Sequence, residues 1–101
     1  MAYTSRKNIT TAITQDLISA GDNVFPTSIN IANVSASSNV NVDLFINNCD
    51  NNYYIIKNHQ VDIGNRIIID MTKIEFKSTN TTDDSLRIKL DAATPVDVLI
   101  K

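Results

Sequence analysis

The chain has 101 residues, a formal net charge of −2, one cysteine and no tryptophan. This length predicts a single domain that buries enough surface to fold without a disulfide or a metal. A slightly acidic chain with scattered basic residues and no long apolar run excludes an electrostatic nucleic-acid surface and a membrane-spanning helix, so neither partner is expected.

The composition favours β-structure throughout. Ile and Val supply most of the apolar residues, and Asn, Thr, Ser and Asp supply most of the polar ones. β-branched side chains suit a pleated surface, whereas the short polar side chains favour turns over helix interiors. Residues 1–7 are polar and irregular, and we expect them to form an N-terminal arm ahead of a β-sandwich domain at 8–101. The amino-terminal residues have no signal-peptide pattern, which predicts synthesis in a cytosol.

From Ile9 onward the chain reads as short strands joined by polar turns. This spacing predicts one antiparallel β-sandwich of about eight strands, immunoglobulin-like or jelly-roll-like. The regular alternation of apolar and polar residues is clearest from Val40 to Ile46. The predicted extended segments lie at 9–18, 24–34, 40–46, 53–56, 59–63, 66–70, 73–77, 86–90 and 96–100.

Some positions break the alternation, and they are candidates for binding a partner. Phe45 falls on the polar side of its strand and is predicted to be exposed. Tyr53 and Tyr54 occupy opposite faces, so one is expected in the core and one outside. The unbroken run Ile67 to Ile69 predicts either a doubly buried strand or a partner contact. With the basic pair of the arm, the predicted partner-binding residues are Arg6, Lys7, Phe45, Tyr53, Tyr54, Ile67, Ile68 and Ile69.

Catalytic residue types are scarce. His59 is the only histidine, and no Gly-x-Ser-x-Gly turn accompanies it. The neighbouring Asp83 and Asp84 would point to opposite faces of a strand. Asn-rich turns at 47–52 and 80–84 offer oxygen atoms to Ca²⁺, but neither has the spacing of a calcium loop. The sequence therefore predicts a non-enzymatic protein with no catalytic site, no metal and no cofactor.

The order of segments adds a resemblance. Residues 28–35, 40–46, 53–58, 84–90 and 95–100 together resemble small all-β virion structural proteins of tailed bacteriophages, in particular marine phages. The resemblance implies a β-sandwich subunit of the virion, assembled in the host cytoplasm, that binds major capsid or tail proteins in many copies and forms homo-oligomers. A capsid decoration or cement protein is the first expectation. A tail, neck or baseplate adaptor of the same fold and a carbohydrate-binding module are the alternatives.

Overall fold

A computed structural model describes residues 5–101, which form eight β-strands in two four-stranded antiparallel sheets. The predicted all-β sandwich is confirmed. No helix in the described residues is long and apolar enough to cross a membrane. The strands are β1 (Ser5–Ile9), β2 (Gln15–Ile18), β3 (Ser28–Asn33), β4 (Val40–Asn48), β5 (Asn51–Val61), β6 (Arg66–Asp70), β7 (Ser85–Leu90) and β8 (Val96–Ile100).

The strand order identifies the type of sandwich. Sheet A has the order β1-β8-β3-β6, and sheet B has the order β2-β7-β4-β5. Strand β1 therefore pairs with β8, β2 with β7, β3 with β6, and β4 with β5. This nesting is the jelly roll of two Greek keys, in which one long hairpin folds over on itself. In an immunoglobulin fold the first two strands would lie side by side in one sheet, whereas here β1 and β2 lie in different sheets.

The core lies between the two sheets, and strands such as β4, β7 and β8 contribute alternate residues to it. Ile29 and Ile31 of sheet A and Val42, Leu44 and Ile88 of sheet B are completely buried. Each such side chain contributes about 1.5–3 kcal/mol through burial. The side chains between them point away from the core, and these outward positions are the ones that a partner can reach.

The structure corrects several predicted boundaries. The single strand expected at 9–18 is two strands, because the chain leaves sheet A after Ile9 and enters sheet B at Gln15. The two segments expected at 53–56 and 59–63 belong mostly to one strand, β5. Residues 5–7 of the predicted arm pair with β8 as part of β1, and residues 1–4 lie outside the described residues.

The strand predicted at 73–77 is absent because this segment has no neighbouring strand to pair with. It belongs to a long connection between β6 and β7, and Ile74 and Phe76 still pack partly against the core. Ser78 fixes the connection, since its hydroxyl exchanges 3.0 Å hydrogen bonds with the backbone of Val24. Its carbonyl also accepts the N–H of Gly21 at 2.7 Å, in a turn where Gly21 has a φ of +95° that side chains disfavour.

Candidate functional site

The structure does not bring the predicted partner-binding residues together in one place. Phe45 and Tyr54 lie on the outer face of sheet B, and Arg6 and Ile68 lie on the outer face of sheet A. Tyr53 lines a groove at one end of the sandwich. Ile67 and Ile69 turn inward to the core, where Ile69 is buried and Ile67 is partly buried. The Ile67–Ile69 run therefore belongs to an ordinary alternating strand, because Ile67 and Ile69 face the core and Ile68 between them faces solvent.

Lys7 is held within the fold rather than on a free arm. Its Nζ donates a 3.1 Å hydrogen bond to the carbonyl of Asp16 in β2. Since β1 and β2 are edge strands of different sheets, this bond closes one open side of the sandwich. The position suits a role in joining the two sheets better than a role in binding a partner.

A row of four side chains crosses the outer face of sheet B. The strand registers place Asp16 opposite Arg87, Arg87 opposite Phe45, and Phe45 opposite Tyr54. Nε of Arg87 donates to Oδ1 of Asp16 at 2.7 Å, and both side chains are more than a third exposed. Such a pair contributes at most about 1 kcal/mol to folding, so its main effect is to orient the guanidinium on the surface.

At the other end of the row, Tyr54 stacks on Phe45. Their ring centroids are 5.0 Å apart with an interplanar angle of 40°. Nζ of Lys57 lies 4.3 Å from the Tyr54 ring centroid and 3.8 Å from Oδ2 of Asp43. The ring of Tyr54 is thus fixed by an aromatic contact and a cation, with 44% of the residue exposed. We call Asp16, Arg87, Phe45, Tyr54 and Lys57 the Tyr54 surface.

The prediction that Phe45 is exposed is wrong. It lies on the outward side of β4, as its place in the alternation indicates, but only 4% of it is exposed. Its strand is flanked on both sides, so Tyr54 from β5 and Arg87 from β7 lie beside the ring. The predicted exposed aromatic is therefore a support beneath Tyr54.

Two β-bulges decide which tyrosine faces outward. β5 spans 11 residues against the nine residues of β4 that it pairs with. One extra residue falls near Asn58, which has a φ of +54° and donates its N–H to Oδ1 of Asp43 at 2.6 Å. The other falls at Ile55, between the Ile56–Leu44 and Tyr54–Phe45 pairs. Without the second bulge Tyr54 would share a face with Ile56, which packs against the core.

Tyr53 therefore points to the core side of sheet B, but it lies beyond the end of the packed interior and is 58% exposed. The expectation that one of the two tyrosines is buried in the core is wrong, because both are exposed. It borders an open groove of about 480 Å³ with Ile46, Asn48, Glu75, Lys77, Asp83 and Asp84. Asp84 is already engaged, because its two carboxylate oxygens accept hydrogen bonds from Nδ2 of Asn48 at 2.7 Å and from N of Lys77 at 3.1 Å. The groove thus offers one aromatic ring beside polar groups.

A second row crosses the outer face of sheet A. The registers align Arg6, Leu99, Asn30 and Ile68. Ile68 is 58% exposed, whereas Asn30 is only 6% exposed, although it is polar and faces outward. Its Oδ1 is buried and has no hydrogen-bond partner. A buried acceptor without a donor costs free energy, so this atom needs an explanation.

Among residues 5–101, no three His, Cys, Asp or Glu side chains are placed to hold a metal ion. Cys49 is exposed in the turn between β4 and β5. The pKa of Asp70 is lowered, first by the hydrogen bond from the Thr72 hydroxyl and then by the bond from the Thr72 backbone N–H.

The sequence did not predict that Leu99, Asn30 or Arg87 belongs to a candidate surface, because only strand register shows which side chains share a row.

Comparisons with known proteins bear on the fold alone. No family model matches the chain, and no curated protein matches it. Among solved structures, the chain is similar to the Anabaena sensory rhodopsin transducer, at 14% sequence identity and a TM-score of 0.50. The match covers 100% of this chain and 98% of that chain.

Proposed function

We propose that this protein is a non-enzymatic structural component of a tailed-phage particle that binds assembled capsid proteins in many copies, as decoration proteins do. The observation that carries the proposal is the Tyr54 surface, where Tyr54 and Arg87 stand in one row on an outer sheet face.

The Tyr54 surface has the features of a binding hot spot. Tyr and Arg are enriched at hot spots because each offers a large contact area with a polar tip. Phe45 beneath the ring and Lys57 beside it hold Tyr54 in place before binding, so little side-chain entropy is lost on contact.

The particle itself is inferred from two further observations. The order of strand segments in the sequence resembles that of small phage virion proteins. The jelly-roll topology is a common architecture of viral capsid domains, although it also occurs in lectins and in enzymes. On a lattice of identical coat subunits, one weak contact per copy is repeated many times, and linked copies gain effective concentration.

The test uses particles purified from the phage that encodes the chain. Quantitative mass spectrometry should find the chain in a fixed ratio to the coat protein, and cryo-electron microscopy should locate it on the capsid. Its absence from the particles would refute a virion role. A location on the tail, neck or baseplate would replace the decoration role with that of an adaptor.

The Tyr54 surface is tested separately with particles that lack the chain. Purified wild-type protein should bind them, and the variant Tyr54→Ala should bind roughly 30-fold more weakly, the equivalent of a hot-spot loss of about 2 kcal/mol. His59→Ala is the control, because it removes an exposed side chain from the same strand outside this row. Equal loss of binding in both variants would contradict the assignment of the surface.

The groove beside Tyr53 supports a second candidate, a carbohydrate-binding module. A sugar ring can stack on the exposed tyrosine while Asn48, Glu75 and Asp83 are within the same groove. A glycan array followed by calorimetry distinguishes the two candidates. Glycan binding that is lost in Tyr53→Ala and retained in Tyr54→Ala would support the carbohydrate module over the particle protein.

A further inference from the structure

We infer that the outer face of sheet A is a self-association surface, on which a second copy of this chain packs about a two-fold axis. The surface consists of the row Arg6, Leu99, Asn30 and Ile68 and the rows on either side of it. It lies on the sheet opposite to the Tyr54 surface, so the inference does not depend on the proposed function.

The first observation is the composition of the central row. Leu99 and Ile68 flank Asn30 on neighbouring strands, and all three face away from the core. Ile68 is largely exposed, Leu99 is half-buried and Asn30 is nearly inaccessible. The centre of this face is thus apolar except for one amide whose Oδ1 has no donor.

The second observation is the distribution of charge on the flanking rows. On one side the registers place Asp97 of β8 and Arg66 of β6 in one row with Ala32 between them. On the other side Lys101 follows β8 and pairs with Ser28 through backbone hydrogen bonds, and Ser28 pairs with Asp70 of β6. Along β6 the charge order is Arg66 then Asp70, and along the last strand it is Asp97 then Lys101.

These charges are self-complementary for one specific arrangement. A two-fold axis that runs along the central row exchanges the two flanking rows between copies. Arg66 then faces Asp70 of the second copy, and Asp97 faces Lys101 of the second copy. Residues two apart on a strand are separated by about 6.6 Å and packed sheets by about 10 Å, which long side chains can span.

The same axis pairs each member of the central row with itself. Ile68 contacts Ile68 of the second copy and Leu99 contacts Leu99, which removes both from water. Asn30 faces Asn30 of the second copy, so the nearly inaccessible amide of the central row lies at the middle of the contact. Arg6 meets its own copy only at the exposed rim, where solvent screens the repulsion.

The size of the face predicts a weak dimer. Four strands of about five residues cover roughly 300 Å² of sheet, and the contact of two such faces buries roughly 1,000 Å² in total once side chains are included. This is at the low end for specific complexes, so the dissociation constant should be micromolar rather than nanomolar. Such a dimer leaves both Tyr54 surfaces on the outside.

Sedimentation equilibrium of the full chain over a wide concentration range tests the inference. The wild-type protein should pass from monomer to dimer in the micromolar range. Arg66→Asp and Asp70→Arg should each remain monomeric alone, because each places like charges opposite each other. Mixed in equal amounts they should form a heterodimer, since each contact between positions 66 and 70 then joins one aspartate to one arginine.

The mixing experiment also serves as the check on folding, because two misfolded variants would not restore association. Lys89→Asp on the outer face of sheet B is the matched charge-reversal control, and it should dimerise like the wild type. A wild-type chain that stays monomeric at several hundred micromolar would overturn the inference. So would a mixture that stays monomeric, or a control variant that loses association to the same extent. Particle binding does not enter any of these outcomes.

Discussion

Replacement of Phe45 by alanine tests whether the outer face of sheet B has a packed layer of its own. The ring is only 4% exposed because neighbours on its own sheet cover it, although it lies on the side away from the core cluster. Burial of a phenylalanine contributes about 2–3 kcal/mol, and a tilted ring pair adds about 1 kcal/mol. The truncated site opens to solvent and leaves no closed cavity, so we expect Phe45→Ala to lower the free energy of unfolding by about 3 kcal/mol.

Urea unfolding followed by circular dichroism measures this loss. A decrease of about 3 kcal/mol in a domain of this length corresponds to a decrease of roughly 12–24 °C in the melting temperature. The urea midpoint should fall with an unchanged slope, because the variant keeps the same fold. Ile13→Ala is the control, since Ile13 is 67% exposed and its truncation should change the free energy by less than about 0.5 kcal/mol.

A double-mutant cycle assigns the part of the loss that belongs to the ring pair. Tyr54→Ala should cost about 1 kcal/mol, and the coupling between Phe45 and Tyr54 should be about 1 kcal/mol. If Phe45→Ala cost no more than Ile13→Ala, Phe45 would be free in solvent and the support that it gives to Tyr54 would not exist. Tyr54 would then lack the contact that we expect to hold its ring in place before binding.

Three further predictions concern the hydrogen bonds of Asn33, the hydrogen bonds of Asp70 and the backbone conformation of Asn58. Asn33→Ala should lower the free energy of unfolding by about 3 kcal/mol in urea, because buried Asn33 donates to the carbonyls of Ser38 and Val61 and accepts from the N–H of Ser35. The lowered pKa of Asp70 means that its stabilising effect is present at neutral pH and is lost as the pH falls through that pKa. An NMR titration should place its midpoint below that of an ordinary exposed aspartate, and Thr72→Ala should raise the midpoint. Asn58→Gly should leave stability within about 0.5 kcal/mol, whereas Asn58→Val should cost at least about 1 kcal/mol at a φ of +54°, and equal melting temperatures would contradict the bulge.

The fold class was predictable from the sequence because the side-chain period of a strand is two. Val40, Val42, Leu44 and Ile46 alternate in the sequence and are all buried in the structure. Sheet membership was not predictable in the same way. The chain moves from sheet A to sheet B between Ile9 and Gln15 without a glycine or proline to mark the crossing. The alternation of apolar and polar residues indicates which residues face the core, but it does not indicate to which of the two sheets their strand belongs.

The candidate surfaces were less predictable, since exposure depends on neighbours across the sheet as well as on the face. Phe45 and Ile68 are both large apolar residues on outward positions, and the sequence pattern treats them alike. Phe45 lies on the central strand β4, where side chains from two flanking strands cover it, whereas Ile68 lies on the edge strand β6, where only one side is flanked. The inserted residue at Ile55 adds a second effect, because it turns Tyr54 outward and over Phe45. A bulge depends on how two strands pair and not on the composition of either one, so a pattern within one strand cannot reveal it. On the outer faces of the two sheets, an edge strand leaves Ile68 exposed and a bulge on an edge strand leaves Tyr54 exposed.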